Sequence, residues 1–139
     1  MKQAVHRLHV ETRGRGLVEI TREIASPVAQ ARIETGLATL FCRHTSASLL
    51  IQENADPNVR ADLEAFFERI APEAPGLYKH DDEGPDDMPS HLRAALTQSH
   101  LAIPVVSGRL ALGTWQGVYL FEHRRAPHDR EIVLHLLGE

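Results

Sequence analysis

The sequence contains a single cysteine, Cys42, among its 139 residues. One cysteine excludes a disulfide within the chain and a zinc site built from several cysteines, and its place in an apolar run predicts a core residue. No apolar run approaches the ~20 residues that a membrane-spanning helix needs. The first residues also lack the apolar segment of a secretory signal. We therefore predict a cytoplasmic protein without a membrane partner.

Basic charge is scarce too. The formal net charge is -4, because 15 Lys and Arg face 19 Asp and Glu. Nonspecific nucleic-acid binding needs a basic surface, so we predict no nucleic-acid partner. By contrast, the chain has nine histidines against two tyrosines and one tryptophan. Histidine is therefore the unusual residue type of this sequence.

Length and composition predict one domain spanning residues 1–139. Three helices are indicated, each by a capping side chain or a proline at its start. Ser26-Pro27 predicts a helix that runs to about residue 35, and Asp56-Pro57 predicts a second that ends near residue 72. Pro89-Ser90 predicts the third. An acidic loop at 73–88 separates the last two helices, and loops of this length are often functional.

Apolar alternation bounded by glycine predicts the strands. They are expected at 4–12, 17–24, 37–43, 48–53, 101–106, 110–112, 118–123 and 131–137. Because helices and strands are mixed without regular βαβ alternation, we predict an α+β fold with a mixed, largely antiparallel β-sheet and about three helices. The last strand has apolar residues on both faces, so one face is expected to meet a partner subunit.

Three histidines stand beside features that suggest a site. His44 follows a predicted strand, His80 lies in the acidic loop, and His91 opens the third helix. Imidazoles bind divalent metals, exchange protons near neutral pH or hold phosphate. The carboxylates of Asp81-Asp82-Glu83 and Asp86-Asp87 can orient them or hold magnesium, or can simply form a solvated acidic loop. The alternative is that each histidine is satisfied or exposed separately. The other six are predicted to be structural: His6, His9, His100, His123, His128 and His135.

A glycine-bracketed loop and the strand after it offer further candidates. In Gly113-Thr114-Trp115-Gln116-Gly117, the glycines let a ligand approach the backbone and Trp115 can stack on a ring, although a tight turn explains the loop equally well. Glu122 and Arg124 lie two apart on a strand, so they face the same side. Arg124 can grip phosphate while Glu122 positions it, or the two can form an ordinary ion pair. Ser46 and Ser48 near His44 raise hydrolase chemistry, but no G-x-S-x-G elbow is present.

Three long motifs identify a family. They are HTSASLLIQENADPNVRADLEAFF from residue 44, YKHDDEGPDDMPSHLRAAL from residue 78 and IPVVSGRLALGTWQGVYLFEHR from residue 103. Together they resemble the YjbQ family, long of unknown function. The resemblance extends from about Thr12 to the C-terminus. Three long motifs in order are far more specific than any single short pattern.

The resemblance implies a small α+β homotrimer with a pocket near a subunit interface. It implies that His44, His80 and His91 are the central catalytic or metal-binding group, holding a divalent metal such as zinc or magnesium, with Asp82 and Asp87 as supports. It further implies that one pocket is lined by Thr45, Ser46, Asn54, Gly113, Thr114, Trp115, Gln116, Glu122 and Arg124.

The resemblance also implies candidate functions. Some members are named secondary thiamine-phosphate synthases on the strength of a weak side activity, which joins a pyrimidine pyrophosphate to a thiazole phosphate and releases pyrophosphate. We therefore expect a transferase or hydrolase acting on a small phosphorylated metabolite. The alternative is a non-catalytic trimer that binds a metal or a small anion.

Overall fold

A computed structural model describes all residues 1–139 and contains eight strands and three helices. The strands are β1 (Lys2–Thr12), β2 (Gly16–Glu19), β3 (Thr35–Cys42), β4 (Ala47–Glu53), β5 (His100–Val106), β6 (Arg109–Leu110), β7 (Gln116–Glu122) and β8 (His128–Gly138). The helices are α1 (Thr21–Ala31), α2 (Pro57–Ile70) and α3 (Asp87–Leu96). None of the three helices combines the length and the apolar character needed to cross a membrane.

The strands form two sheets in which every pairing is antiparallel. One sheet has five strands in the order β1-β8-β3-β5-β6, and the other has three in the order β2-β7-β4. The predicted α+β class is thus confirmed, although the strands divide into two sheets and contain no parallel pair.

The core fills the space between the two sheets and α1. Alternate residues of β3, β5 and β8 point into it, as the two-residue period of a strand requires. Cys42 is part of this core, as its apolar surroundings predict. On the opposite face of the smaller sheet, Phe67 of α2 packs edge-to-face on Phe121 of β7 with ring centroids 5.3 Å apart.

The first helix is the main departure from the predicted elements. Residues 21–24 were expected to extend a strand, but they begin α1, and Ser26-Pro27 lies inside this helix. The cause is tertiary burial: Ile20, Ile24 and Val28 recur every four residues and all face the core. That spacing outweighs both the alternating pattern of 17–24 and the cost of a proline in a helix. The helix ends at Ala31, short of the predicted residue 35, because Arg32 caps it with a left-handed φ of 53° and β3 begins at Thr35.

The third helix positions the candidate site, and it begins two residues before the predicted start. Asp87 is its first residue, and Pro89 sits in the first turn, where a missing N–H costs no helical hydrogen bond. A carboxylate there also interacts favourably with the helix dipole. Consequently Asp87 and His91, four residues apart, share one face of α3.

The outward face of the five-stranded sheet carries large apolar side chains. In the register of the sheet, Leu37 pairs with both Leu137 and Pro104, and Phe41 pairs with Val133. Leu37, Phe41 and Leu137 are 41%, 49% and 37% exposed. The last strand is therefore apolar on both faces, as predicted, and neither a helix nor the second sheet covers the outer one.

Candidate functional site

His80, Asp87 and His91 form one group of possible metal ligands. One ligand atom from each lies within 4.8 Å of the others. His80 Nε2 is 2.7 Å from Asp87 Oδ2, and His91 Nε2 is 3.2 Å from the same oxygen. The acidic loop adds Glu83, whose Oε2 is 3.0 Å from His80 Nε2, and Asp82, whose Oδ1 is 3.8 Å from His80 Nδ1.

A backbone carbonyl fixes the orientation of His91. His91 Nδ1 lies 3.2 Å from the carbonyl oxygen of Thr45. A carbonyl only accepts hydrogen bonds, so Nδ1 carries a proton, and Nε2 is the ring nitrogen that faces Asp87 and can bind a metal ion once it carries no proton. Metal-binding histidines commonly have this outer hydrogen bond. Thr45 therefore contributes to the group through its carbonyl, whereas its side chain is not part of the contact.

Arg124 holds the carboxylates of the first turn of α3. Its NH1 donates to Asp87 Oδ1 at 2.6 Å, and its Nε donates to Asp86 Oδ2 at 3.1 Å. Its NH2 donates to the carbonyl of Glu83 at 3.0 Å. With these acceptors in place, no free edge of the guanidinium remains for bidentate binding of phosphate. Arg124 instead turns Asp87 so that Oδ2 faces the two histidines.

The charges of the group are coupled. Burial alone would raise the pKa of Asp87, but the His80 hydrogen bond and the charges of His91 and Arg124 lower it overall. The hydrogen bond to Asp87 in turn raises the pKa of His80. The negative charge of Asp87 therefore favours a cation beside Oδ2, whether a proton on His80 or a metal ion.

Glu122 is fully buried and serves a structural network. Arg130 donates to both of its oxygens, the hydroxyl of Thr12 donates to Oε1 at 2.6 Å, and the backbone N–H groups of His123 and Arg124 donate to Oε2. Burial alone would raise the pKa of Glu122, but the hydrogen bonds from Arg130, Thr12 and the backbone lower it overall. Every lone-pair direction is occupied, so Glu122 has no access to a substrate.

His44 lies close to this network but outside the metal-ligand group. Its Nε2 accepts a hydrogen bond from the backbone N–H of Glu131 at 2.8 Å. Burial, followed by the charge of Arg130, lowers the pKa of His44, so the ring is neutral at neutral pH. The hydroxyl of Ser46 likewise accepts from Arg130 NH2 at 3.0 Å. Within one chain, the three predicted histidines thus divide into a pair, His80 and His91, and a separate His44.

The glycine-bracketed loop lies elsewhere. The register of β4 and β7 runs from Ala47 opposite Glu122 to Glu53 opposite Gln116. Six residues of strand span about 20 Å, so residues 113–116 and Asn54 lie at the far end of this strand pair. There the N–H of Asn54 donates to the carbonyl of Trp115 at 3.0 Å. The predicted pocket residues therefore form two groups that one chain does not bring together.

A cleft of about 250 Å³ opens beside His80. Its walls include apolar or flat side chains that the sequence did not indicate: Pro75, Tyr78, Pro85 and Met88. The hydroxyl of Tyr78 donates to the carbonyl of Pro72 at 2.7 Å, which fixes the ring. Such a surface suits a ring or an apolar segment of a small ligand.

Two functional features were missed by reasoning from local sequence patterns. The i, i+4 pair of Asp87 and His91 was detectable, but only histidine pairs were considered and the helix was started too late. The partner of Glu122 was taken to be Arg124, two residues away, whereas it is Arg130 on β8. That pairing follows from the position of β8, which local spacing does not reveal.

His123, predicted to be structural, is buried, with Nε2 2.9 Å from Ser48 Oγ, and burial lowers its pKa to about 3.

Comparisons with known proteins give a consistent result. The family model described as UPF0047 protein YjbQ-like matches residues 6–139. UPF0047 protein sll1880 of Synechocystis is 52% identical, over 95% of this chain and 90% of its own, and UPF0047 protein YjbQ of Escherichia coli O157:H7 is 45% identical, over 95% and 96%. The chain belongs to the YjbQ family.

Solved structures of related proteins agree with this family assignment. The crystal structure of the conserved hypothetical protein TT1486 from Thermus thermophilus is 39% identical, with a TM-score of 0.84 over 95% of this chain and 99% of its own. A YbjQ-like protein of unknown function from Sulfolobus solfataricus is 23% identical, with a TM-score of 0.87 over 99% and 100%. At that identity the likeness shows the fold alone.

If Glu122 is structural, its removal should cost stability. We expect Glu122→Gln to lower the free energy of unfolding by about 3 kcal/mol or more, because Arg130 is left buried without its counter-charge. Glu131→Gln is the matched control: half-buried Glu131 pairs with the exposed side chains of Arg7 and Arg43, so we expect a loss of about 0.5 kcal/mol. Urea unfolding measures both. A Glu122→Gln protein with unchanged stability would contradict the structural role.

Proposed function

We propose that the chain is a metal-dependent enzyme of the cytoplasm that acts on a small phosphorylated molecule. The observation that carries this proposal is the convergence of His80 Nε2, Asp87 Oδ2 and His91 Nε2 within 4.8 Å. Two imidazoles and one carboxylate suit zinc or a similar transition metal better than magnesium, which prefers oxygen ligands. Glu83, 3.0 Å from His80 Nε2, is in reach as a further ligand.

The surroundings support a metal over a simple hydrogen-bonded cluster. The carbonyl of Thr45 sets the His91 tautomer that leaves Nε2 free, and Arg124 directs Asp87 Oδ2 into the group. Both contacts keep the ligand atoms in place before an ion arrives, which reduces the cost of ordering them. A bound divalent metal would neutralise charge on a phosphate or pyrophosphate leaving group.

The substrate would occupy the cleft beside His80. Pro75, Tyr78, Pro85 and Met88 offer a surface for a heterocyclic ring, while the phosphate end would lie at the metal. This arrangement fits the reaction that the family resemblance implies, in which a pyrimidine pyrophosphate joins a thiazole phosphate. We propose weak thiamine-phosphate synthase activity as the first assay, and hydrolysis or transfer on another phosphometabolite as the second.

One observation favours a second candidate, a non-catalytic protein that binds a metal or an anion. Arg124, predicted to bind phosphate, and Glu122, predicted to position it, are both fully engaged by protein partners. Ligand binding without turnover would still raise the melting temperature by mass action. Thermal shifts with phosphometabolites but no product would therefore favour this candidate.

We also propose that the protein is a homotrimer that assembles through the outward face of the five-stranded sheet. The apolar row of Leu37, Phe41 and Leu137 on this face supports an obligate interface. Assembly would also reconcile the two groups of pocket residues. The glycine-bracketed loop, which lies at the far end of the β4 and β7 pair in one chain, would complete the pocket of a neighbouring subunit.

The metal proposal predicts which histidines matter. His80→Ala and His91→Ala should each weaken zinc binding by roughly 100-fold or more, because each removes a ligand. His44→Ala is the matched control and should bind zinc like the original chain, since Nε2 of His44 already accepts from the backbone. Titration against a chelating dye measures the affinities. Unchanged zinc affinity in His80→Ala and His91→Ala would place the ion elsewhere, and an equal loss in His44→Ala would contradict the separation of His44 from the group.

Zinc affinity should also depend on pH. A proton on His80 competes with the metal, and the hydrogen bond to Asp87 raises the pKa of His80 above its ordinary value of 6.5. Affinity should therefore be full above that raised pKa and fall about tenfold or more per unit as pH drops below it. Zinc titrations from about pH 8 to about pH 5.5 test this. A constant affinity across that range would contradict His80 as a ligand.

The assembly proposal predicts that a charge on the outward face separates the subunits. Phe41→Glu should convert a species of three times the 15.5 kDa chain mass into monomer. Phe66→Glu, on α2 and similarly exposed at 45%, is the control and should remain trimeric. Light scattering measures the mass. The Phe41→Glu monomer should keep zinc but lose turnover; full turnover in the monomer would show that one chain holds the whole site.

A further inference from the structure

A second cleft, of about 220 Å³, lies on the other side of α3. Its walls are Arg15, Glu68, Pro72 and Glu73, and Arg93 lies at its base, 1% exposed. Arg93 follows His91 by two residues, which turns it about 200° around the helix axis. This cleft is therefore separate from the group of His80, Asp87 and His91.

The guanidinium of Arg93 has no hydrogen-bond acceptor. Nε, NH1 and NH2 are all buried without a partner, and the one carboxylate oxygen within 4.0 Å is Glu64 Oε2, 3.7 Å from NH1. Buried polar groups are normally hydrogen-bonded, and an unpartnered charged donor costs more than a neutral one. The fork of a guanidinium matches the oxygens of a carboxylate or phosphate.

Unpartnered acceptors accompany these donors. Oε1 of Glu64 and Oε1 of Glu73 are both buried without a donor. Glu73 is held from outside by Arg125, whose NH2 donates to Oε2 at 2.8 Å. Arg15 NH2 donates to Glu68 Oε1 at 3.3 Å, whereas its NH1 lies 3.8 Å from Glu73 Oε1 and makes no hydrogen bond. A ligand that satisfies the cleft must therefore accept hydrogen bonds from arginine and also donate one to a glutamate.

We propose that this cleft binds phosphate that carries a proton, either inorganic phosphate or the phosphate of a monoester. Its unprotonated oxygens accept from Arg93 and Arg15, and its P–OH donates to Glu73 Oε1. Sulfate has the same shape but no proton at neutral pH, so it would place a lone pair against Glu73. The cleft should therefore select phosphate over sulfate. This site does not depend on the proposed metal or on the proposed reaction.

The test uses the full chain, freed of metal with a chelator and held in phosphate-free buffer. Calorimetric titration with inorganic phosphate, sulfate and glycerol phosphate gives three affinities at one ionic strength and at about pH 6, where about half of the monoester keeps its proton and sulfate has none. We expect phosphate to bind at least about tenfold more tightly than sulfate. Glycerol phosphate matching inorganic phosphate indicates a monoester site, whereas much weaker binding indicates a site for the free ion.

Variants assign the binding to this cleft. Arg93→Met should weaken phosphate binding roughly 30-fold or more, and it should fold in phosphate-free buffer because it removes an unpaired buried charge. Glu73→Gln replaces an acceptor with a donor, so it should raise sulfate affinity to that of phosphate, and it gives an answer even if Arg93→Met fails to fold. The double variant of His80→Ala and His91→Ala should bind phosphate unchanged.

Any of four results would overturn the inference. The first two are absence of phosphate binding and equal affinity for phosphate and sulfate in the original chain. The others are unchanged phosphate affinity in Arg93→Met and unchanged selectivity in Glu73→Gln. Loss of phosphate binding in the histidine double variant would move the anion to the metal-ligand group. That result would reject this cleft while leaving the proposed function standing.

Discussion

The candidate site depends on one carboxylate that is bound from two sides. Asp87 gives Oδ1 to Arg124 and Oδ2 to His80 and His91. Arg124 comes from the segment after β7, His80 from the acidic loop and His91 from α3, so this single side chain joins three separate segments of the chain. Because Asp87 opens α3, the helix dipole and the guanidinium both keep it ionised, which is the state that attracts a cation.

The fold was largely predictable because its signals are local. Asp56 capping α2 and the alternating pattern of β8 were read correctly from short stretches. The start of α1 was predicted wrongly, because Ile20, Ile24 and Val28 favour a helix only when they are buried in the core. The grouping of His80 and His91 with Asp87 was expected from the family resemblance, whereas local spacing did not indicate it. The roles of Arg124 and Glu122 depend on partners distant in sequence, and one of these partners is Arg130.

Different sets of candidate residues lie at the two ends of the β4 and β7 pair. One end holds the metal-ligand group above the buried network of Glu122 and Arg130; the other holds Asn54 and the loop with Trp115. Glu122, at which the sequence suggested catalysis, is therefore held in a structural ion pair with Arg130, and Arg124 is held by Asp86 and Asp87. Under the proposed function, catalysis relies on a bound metal and on a pocket that a second subunit completes. The cleft at Arg93 shows that α3 presents different chemistry on its two sides.

The most direct test of the central claim is a crystal structure of the zinc-loaded protein with anomalous scattering measured at the zinc edge. We predict one ion bonded to His80 Nε2 and His91 Nε2 at about 2.0–2.1 Å and to Asp87 Oδ2 at about 2.0–2.2 Å, with Arg124 still on Oδ1. Anomalous density on His44, or its absence between His80 and His91, would contradict the account.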